Sequence, residues 1–338
     1  MKRIGAAVML FFGCLLAAGA ERCSITLLWT PQAQFAGVYY AREAGIFRRY
    51  GLEVDIRHKT PESAIFDYLR GGRSDFVIAP LTVALSERDR GLAVVNLLQL
   101  SQSSSLVLVA RSSSGVTDAA SLRNPHREGR PLRFGIWGVD FGMLPRILLR
   151  QQKVENPAIL PLGSDVLPFL WGAVDVVNVM EYNEYYQLLA GGCSSRDLVR
   201  IRLRECGLDV PEDGLYALES TVSARPEMCA RFRAALLEGW REALNHREQA
   251  LDYVRVYSDA AGGQFDPAHQ WWMLDFFGRQ LELSDPERAG RLSREKFDFT
   301  VRLLIGYGEL QKPVDYALFC PDLPKLPKLP EPAEEAVP

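Results

Sequence analysis

Histidine is scarce in this chain: His58, His126, His246 and His269 are the only four among 338 residues, and each stands alone among charged or helical neighbours. They read as surface residues, and that leaves little material for a His-based metal centre or a general base. Cysteine says as little. Cys14 lies in the N-terminal apolar run, and Cys23, Cys193, Cys206, Cys229 and Cys320 form an odd, irregular set without a C-x-x-C pair. No zinc site is legible in that spacing. An oxidising compartment would permit at most two disulfides among the five, in pairings the sequence does not assign. Positive charge is not in excess, since 39 Lys and Arg face 42 Asp and Glu for a net charge of -3. General nucleic-acid binding needs a basic surface and is therefore excluded. There is no G-x-S-x-G elbow, P-loop or H-E-x-x-H helix, and Gly135, Gly138 and Gly142 are spaced wrongly for a dinucleotide fingerprint. The expectation is a protein without metal, cofactor or catalytic constellation.

Long apolar runs are missing too, except at the start. Lys2 and Arg3 precede an apolar stretch from Ile4 to Leu16, and Ala18-Gly19-Ala20 supplies a small-x-small pattern before Glu21. About thirteen apolar residues fall short of the roughly 20 that span a bilayer. The segment 1–20 therefore reads as a cleaved signal peptide, and the mature chain as a soluble, exported protein. Cys14 sits inside the apolar run behind Phe11-Phe12-Gly13, a poor context for lipidation.

What is present is a globular pattern, 48% hydrophobic, with strands alternating with helices. Ile25–Trp29, Leu52–Ile56, Phe76–Ala79, Ala93–Leu100 and Leu106–Ala110 read as strands, and Pro31 opens a helix carrying Phe35, Val38 and Tyr39 on one face. Further helices are expected over Ser63–Arg70 and Leu81–Arg90. After the break at Ser112-Ser113-Ser114-Gly115 a second unit repeats the alternation, with strands Phe134–Trp137, Ala158–Leu162, Val174–Met180 and Leu198–Leu203. Helices there are expected over Met143–Gln152, Val166–Trp171 and Asn183–Ala190. Such alternation with short links predicts parallel α/β architecture. Beyond Tyr216 the texture changes to long helices, Pro226–Tyr257, Pro267–Leu281 and Ser293–Leu310. The Lys-Leu-Pro repeats from Pro321 suit a mobile tail.

Several blocks carry a family likeness. Leu28-Trp29-Thr30-Pro31 with Gly37-Val38-Tyr39-Tyr40-Ala41, then Gly45-Ile46-Phe47 and Gly51-Leu52-Glu53-Val54, resemble the opening of the binding proteins for thiamine pyrimidine precursors. Gly71 to Phe76 resembles their next block, Val176 to Tyr185 the acidic block of their second lobe, and Asp213-Gly214-Leu215-Tyr216 the return crossing. The blocks run in order over about two-thirds of the chain. The resemblance implies a type II periplasmic-binding-protein fold, with two lobes, a hinge and an interlobe cleft. Lobe one is expected over 24–110 and 214–320, lobe two over 111–213, and a flexible tail over 321–338. It also implies a monomer that captures a small heteroaromatic solute, most like a thiamine pyrimidine precursor, and delivers it to an ABC permease in the inner membrane. Riboflavin, sulfonates and other solutes are bound by the same superfamily, and an exported sensor without an importer is a further reading. The superfamily's fungal pyrimidine-synthesising enzymes carry a Cys-rich cluster and an active-site histidine. The region around Cys193-Ser194-Ser195 lacks that cluster, and no histidine falls in a matching block.

In open α/β sheets, ligands sit beyond the carboxyl ends of strands. That places Trp29, Gln32 and Gln34, with Pro80 and Thr82, on the first lobe's side of a cleft. Gly138, Asp140 and Phe141, with Glu181, Tyr182, Asn183, Glu184 and Tyr185, fall on the second. Trp29, Tyr182 and Tyr185 can stack on a flat ring, and Glu184 or Glu181 can accept its N–H groups. Glu184 is preferred, as part of the Tyr-Asn-Glu-Tyr run. The helix entry at Gly138 to Gly142 offers backbone N–H groups to a polar or anionic substituent. Each residue has a structural alternative: a core tryptophan, tyrosines that cover a helix, carboxylates that complement a helix dipole. Asp75 reads as a loop cap.

Overall fold

A computed structural model describes residues 19–60, 62–163, 165–283, 285 and 288–326, without the side chains of Val139 and Asp140. The expected signal segment up to residue 18 and the end of the Pro-rich tail lie outside the described residues. Among the described residues, ten strands form two five-stranded sheets. The first contains β1 (Glu21–Leu27), β2 (Leu52–His58), β3 (Phe76–Pro80), β4 (Val94–Gln99) and β10 (Asp213–Leu218), in the order β2-β1-β3-β10-β4. The second contains β5 (Leu106–Arg111), β6 (Arg133–Ile136), β7 (Ala158–Pro161), β8 (Val176–Met180) and β9 (Leu198–Arg202), in the order β7-β6-β8-β5-β9.

Neither sheet is purely parallel, which corrects the sequence expectation. β1 runs parallel to β2 and β3, but β10 runs antiparallel to β3 and β4. In the second sheet β6 is parallel to β7 and β8, while β5 is antiparallel to β8 and β9. The reason is the path of the chain. β5 and β10 each enter their sheet directly from a crossing, with no helix to turn them round. Because β5 pairs within the second sheet, the first crossing falls between β4 and β5, at residues 100–105, ahead of the 110/111 boundary read from sequence. The return crossing lies between Gly207 and Glu212.

Alternation along β5 shows how the second sheet is clad. Leu106, Leu108 and Ala110 join the cluster that continues into the first lobe, whereas Val107 and Val109 join a separate cluster with Phe169, Val177 and Tyr185. Successive side chains of a strand point to opposite faces, so one strand supplies both cores.

The C-terminal helices clad the first sheet. Pro226 to Tyr257 read as a single helix, but it is two, Pro226–Asn245 and Arg247–Ala260, broken at His246 with φ -123° and ψ 58°. Trp240 is fully buried against Gly37 of the helix Ala36–Glu43, where a Cβ would lie 2.4 Å from the indole. The close approach of the two helices requires glycine there. Asp75 behaves as a structural cap: its Oδ2 accepts from Ser24 N at 2.8 Å and Ser24 Oγ at 3.0 Å, and Arg225 pairs with its other oxygen. Of the expected helix Ser63–Arg70 only Asp67–Arg70 is helical. Among the described residues no helix is long and apolar enough to cross a membrane.

Candidate functional site

The ends of β1, β6 and β8 converge on a cleft between the two sheets, and the end of β3 on a recess beside it. Trp29, Gln32 and Gln34 line it from the first lobe, and Trp137, Phe141, Tyr182, Asn183 and Glu184 from the second. Leu106 and Met180, directly paired across β5 and β8, form its apolar floor. The space measures about 320 Å³ including its mouth. Trp29 meets Trp137 edge to face at 5.8 Å between centroids and Phe141 at 6.3 Å, so aromatic rings from both lobes frame the cleft.

Each wall is held from behind. The backbone oxygen of Trp29 is bonded to His58 Nδ1, whose Nε2 meets Tyr39 Oη at 3.1 Å. His58 is therefore a half-buried support for the cleft, not the surface residue expected. Ala33 N donates to Gln270 Oε1 at 2.7 Å, and Gln34 N approaches Met273 Sδ at 3.2 Å, which pins the loop after β1 to the helix Pro267–Gln280. Trp137 is locked by Asn178, whose side chain accepts from Trp137 N at 2.8 Å and whose backbone oxygen accepts from Trp137 Nε1 at 2.6 Å. A Cβ at Gly142 would stand 2.5 Å from Trp137 O, so the glycine lets the helix Val139–Gln151 start hard against the end of β6.

Glu184 is the cleft's carboxylate. It is 6% exposed; its Oε2 accepts from Met180 N at 2.8 Å and its Oε1 from Asn183 Nδ2 at 2.7 Å. Burial pushes its carboxyl up to about 7 despite those donors. No Lys, Arg or His side chain lies on the described wall around it. Tyr182 is buried and crosses to the first lobe, its ring edge to face with Phe277 at 5.5 Å. Burial, then the charges of Asp213, Glu212 and Glu184, hold its phenol well above the ordinary range.

Two candidate side chains are placed elsewhere. The carboxylate of Glu181 points into an arginine cluster, accepting from Arg202 at 2.8 Å and lying 3.4 Å from Arg200 and 3.7 Å from Arg204. Its backbone oxygen accepts from Trp272 Nε1 of the first lobe at 3.3 Å. Tyr185 is buried in the second lobe's own core, with the Arg200 guanidinium 5.1 Å from its ring centre. Gly138 caps its helix without lining the cleft, and the side chain of Asp140 lies outside the described residues. Pro80 and Thr82 line an adjoining recess that shares Leu106 and Phe141 with the main cleft and ends on Glu212.

Sequence reasoning missed Trp137, Glu212 and Asp213. Trp137 stands at the end of β6 as Trp29 stands just past β1, and that symmetry was the available signal. Asp213 enters the sequence reading only as the first residue of the return-crossing block, and Glu212 immediately before it carries no signal of its own. Glu212 ties the crossings together: its Oε1 accepts from Ser104 Oγ at 2.8 Å, Ser105 N at 2.9 Å and Leu106 N at 3.2 Å. Burial, opposed by those donors and reinforced by Asp213, pushes its carboxyl up to about 8. Among the described residues, no group of three or more His, Cys, Asp or Glu could hold a metal ion.

Two α/β sheets, two chain crossings and a cleft at their strand ends define the periplasmic-binding-protein fold. The periplasmic aliphatic sulphonate binding protein SsuA from Escherichia coli has that fold, superposing with a TM-score of 0.65 over 94% of this chain and 97% of its own at 14% identity. The family described as NMT1/THI5 like matches residues 32–250, more than half of the chain, and the chain belongs to that family. Its relatives include the 4-amino-5-hydroxymethyl-2-methylpyrimidine phosphate synthase THI13 of Saccharomyces cerevisiae, 19% identical over 81% of this chain and 87% of that protein. The riboflavin-binding protein RibY of Chloroflexus aurantiacus is 21% identical over 87% of this chain and 83% of its own.

Proposed function

We propose that this protein is an exported, non-enzymatic solute-binding component of an ABC importer, and that its solute is a small, flat, N–H-bearing heterocycle of the thiamine-pyrimidine kind. The observation that carries this reading is Glu184, a buried carboxylate set between aromatic rings from both lobes with no cationic side chain among the described residues of the wall. A carboxylate accepts N–H donors with charge-assisted bonds, and rings at the cleft edge suit a planar partner. A wall that carries Glu184 and, among its described residues, no cation disfavours sulfonates and phosphate esters, even though a sulphonate binder shares the fold.

The yeast relative's name is that of a synthase. Against an enzyme here stand the lack of a histidine among the described residues of the cleft wall and the backbone-bonded role of His58. The similarity to RibY supports riboflavin as the second reading. Calorimetry with hydroxymethylpyrimidine, its formylamino analogue, thiamine, riboflavin and an alkanesulfonate tests both. Binding of the pyrimidines without turnover is expected. Riboflavin binding with no pyrimidine signal would move the assignment to a flavin carrier, and a sulfonate signal alone would overturn it.

A further inference from the structure

We infer that Asp213, a residue behind the cleft wall at the return crossing, fixes the hydrogen-bond polarity of the solute site through a two-glutamine relay, so that Gln32 presents its carbonyl oxygen to the ligand. The relay consists of Gln34 Nε2 donating to Asp213 Oδ2 at 2.6 Å and Gln32 Nε2 donating to Gln34 Oε1 at 2.7 Å. Gln32, Gln34 and Asp213 are 6%, 3% and 1% exposed, and both glutamines line the cleft.

The direction of this chain follows from chemistry, not from how an amide is drawn. An ionised carboxylate can only accept, and Asp213 has a carboxyl pushed up to about 6 by burial, so it is ionised well above that pH. The Gln34 atom facing it must therefore be the NH₂ group. Gln34 then turns its oxygen to Gln32, which must answer with its own NH₂. Each amide has one donor end and one acceptor end, so the Gln32 oxygen is left over. That oxygen accepts from none of the described residues, and the cleft is where it is free to accept. Asp213 Oδ1 is buried without a partner, so Gln34 is the one side-chain donor to this carboxylate among the described residues.

The relay is anchored at the chain crossing. Asp213 N donates to Ser101 Oγ at 2.9 Å, and Asp213 O accepts from Leu100 N at 2.8 Å and Gln99 Nε2 at 3.0 Å. The carboxylate is therefore held by the same segment that joins the lobes. With Glu184 opposite, the cleft offers acceptors from both sides, which selects ligands carrying two N–H donors over isosteres carrying carbonyl oxygens. This part of the inference rests on the reading of the cleft as a solute site; the relay itself does not.

A double-mutant cycle separates the two. Gln32→Glu places a second acceptor against Gln34 Oε1, and Gln34 cannot turn over while Asp213 demands its NH₂. The single variant should lose several degrees of melting temperature in buffer well above pH 6. In Gln32→Glu with Asp213→Asn, Gln34 can reverse, accept from the new asparagine and donate to the new glutamate, so much of that loss should return. Strictly additive melting shifts would overturn the relay whether or not any ligand is known. The ligand arm uses hydroxymethylpyrimidine with its 4-amino group and the 4-oxo analogue. Asp213→Asn alone frees the polarity, and the amino-to-oxo affinity ratio should fall roughly threefold to tenfold, the scale of one hydrogen bond. Coupled melting shifts with an unchanged ratio would overturn the ligand-selecting role and leave the relay standing. If neither pyrimidine binds, the solute reading fails while the melting cycle still decides the relay.

Discussion

Trp29 of the first lobe and Trp137 of the second stand edge to face across the cleft, their planes at 85° and centroids 5.8 Å apart. Each ring is fixed through its own backbone, Trp29 by His58 and Trp137 by Asn178. The contact joins the lobes and also forms a rim of the cleft, so on the proposed reading the atoms that join the lobes are also those that would meet a ring.

Trp29→Ala should therefore weaken binding of a flat heterocycle through the loss of a ring contact, worth roughly 0.5–1.5 kcal/mol beyond buried area. That corresponds to at least a twofold to tenfold rise in Kd. The half-buried position of Trp29 predicts a smaller effect on melting temperature than truncating Trp240, which is fully buried against Gly37. Calorimetry with the best ligand, paired with thermal melts of both variants, checks the contrast.

Glu184 and Glu181 should separate cleanly. In buffer above pH 7, where the Glu184 carboxyl is ionised, Glu184→Gln removes a charged acceptor from the cleft wall; a hydrogen bond to a charged group is worth roughly 1.5–3 kcal/mol, so binding should weaken about tenfold to hundredfold. Glu181→Gln instead strips the counter-charge from Arg200, Arg202 and Arg204. It should lower the melting temperature and leave affinity within about twofold, since its carboxylate does not line the cleft. Wild-type affinity in Glu184→Gln would remove the carboxylate from the solute site.

The buried acids predict an unusual pH dependence of stability. Glu212 titrates near 4.5 when unfolded and is raised to about 8 in the fold; Glu184 is raised to about 7 and Asp213 to about 6. Between the two values the folded state keeps a proton that the unfolded state releases, so raising the pH favours unfolding. Their contribution is fully present below the unfolded values and lost as pH rises to about 8. Melting temperature of the ligand-free protein should thus decline through that window after arginine-paired carboxylates such as Asp175 have ionised at much lower pH. Glu212→Gln should flatten the upper part of the decline. A wild-type melting curve unchanged over that window would contradict the buried environment of Glu212.

The sequence made the strand-end positions legible because β1, β3, β6 and β8 are short apolar runs closed by Trp29, Pro80, Trp137 and Glu181, and strand-end loops are where such folds bind. It separated Glu184 from Glu181 only by resemblance to a block, since the turn after β8 decides which carboxylate faces inward. The hydrogen bond from Met180 N to Glu184 is what settles it. β10 was not legible as a strand partner of both β3 and β4, because antiparallel insertion from a crossing leaves no local periodicity. The break at His246 was equally hidden, as Asn245 and His246 interrupt a continuous apolar stripe without proline or glycine. The Asp213 relay joins residues 179 positions apart, and no spacing rule reaches that far.

Closure has one more contact open to test. Arg150, near the end of the helix Val139–Gln151 in the second lobe, donates to Tyr307 O at 3.1 Å, pairs with Glu309, and lies 5.4 Å from the Tyr307 ring centre. Tyr307 and Glu309 follow the helix Arg294–Gly306 of the first-lobe side. This link sits away from the solute wall, so its removal should act on the balance between open and closed lobes and not on ligand contacts. Exposed ion pairs are worth about 0.2–1 kcal/mol, and the Arg150 side chain is 46% exposed. Arg150→Ala should then shift that balance toward open by no more than about fivefold, weakening a ligand that binds only the closed form by the same factor. The wild-type advantage should shrink in high salt, where exposed charges are screened. Small-angle scattering should give a larger radius of gyration for ligand-free Arg150→Ala than for wild type, and equal radii once both are saturated. A larger radius that persists at saturation would mean that Arg150 holds the fold of the helix end, not the closed state.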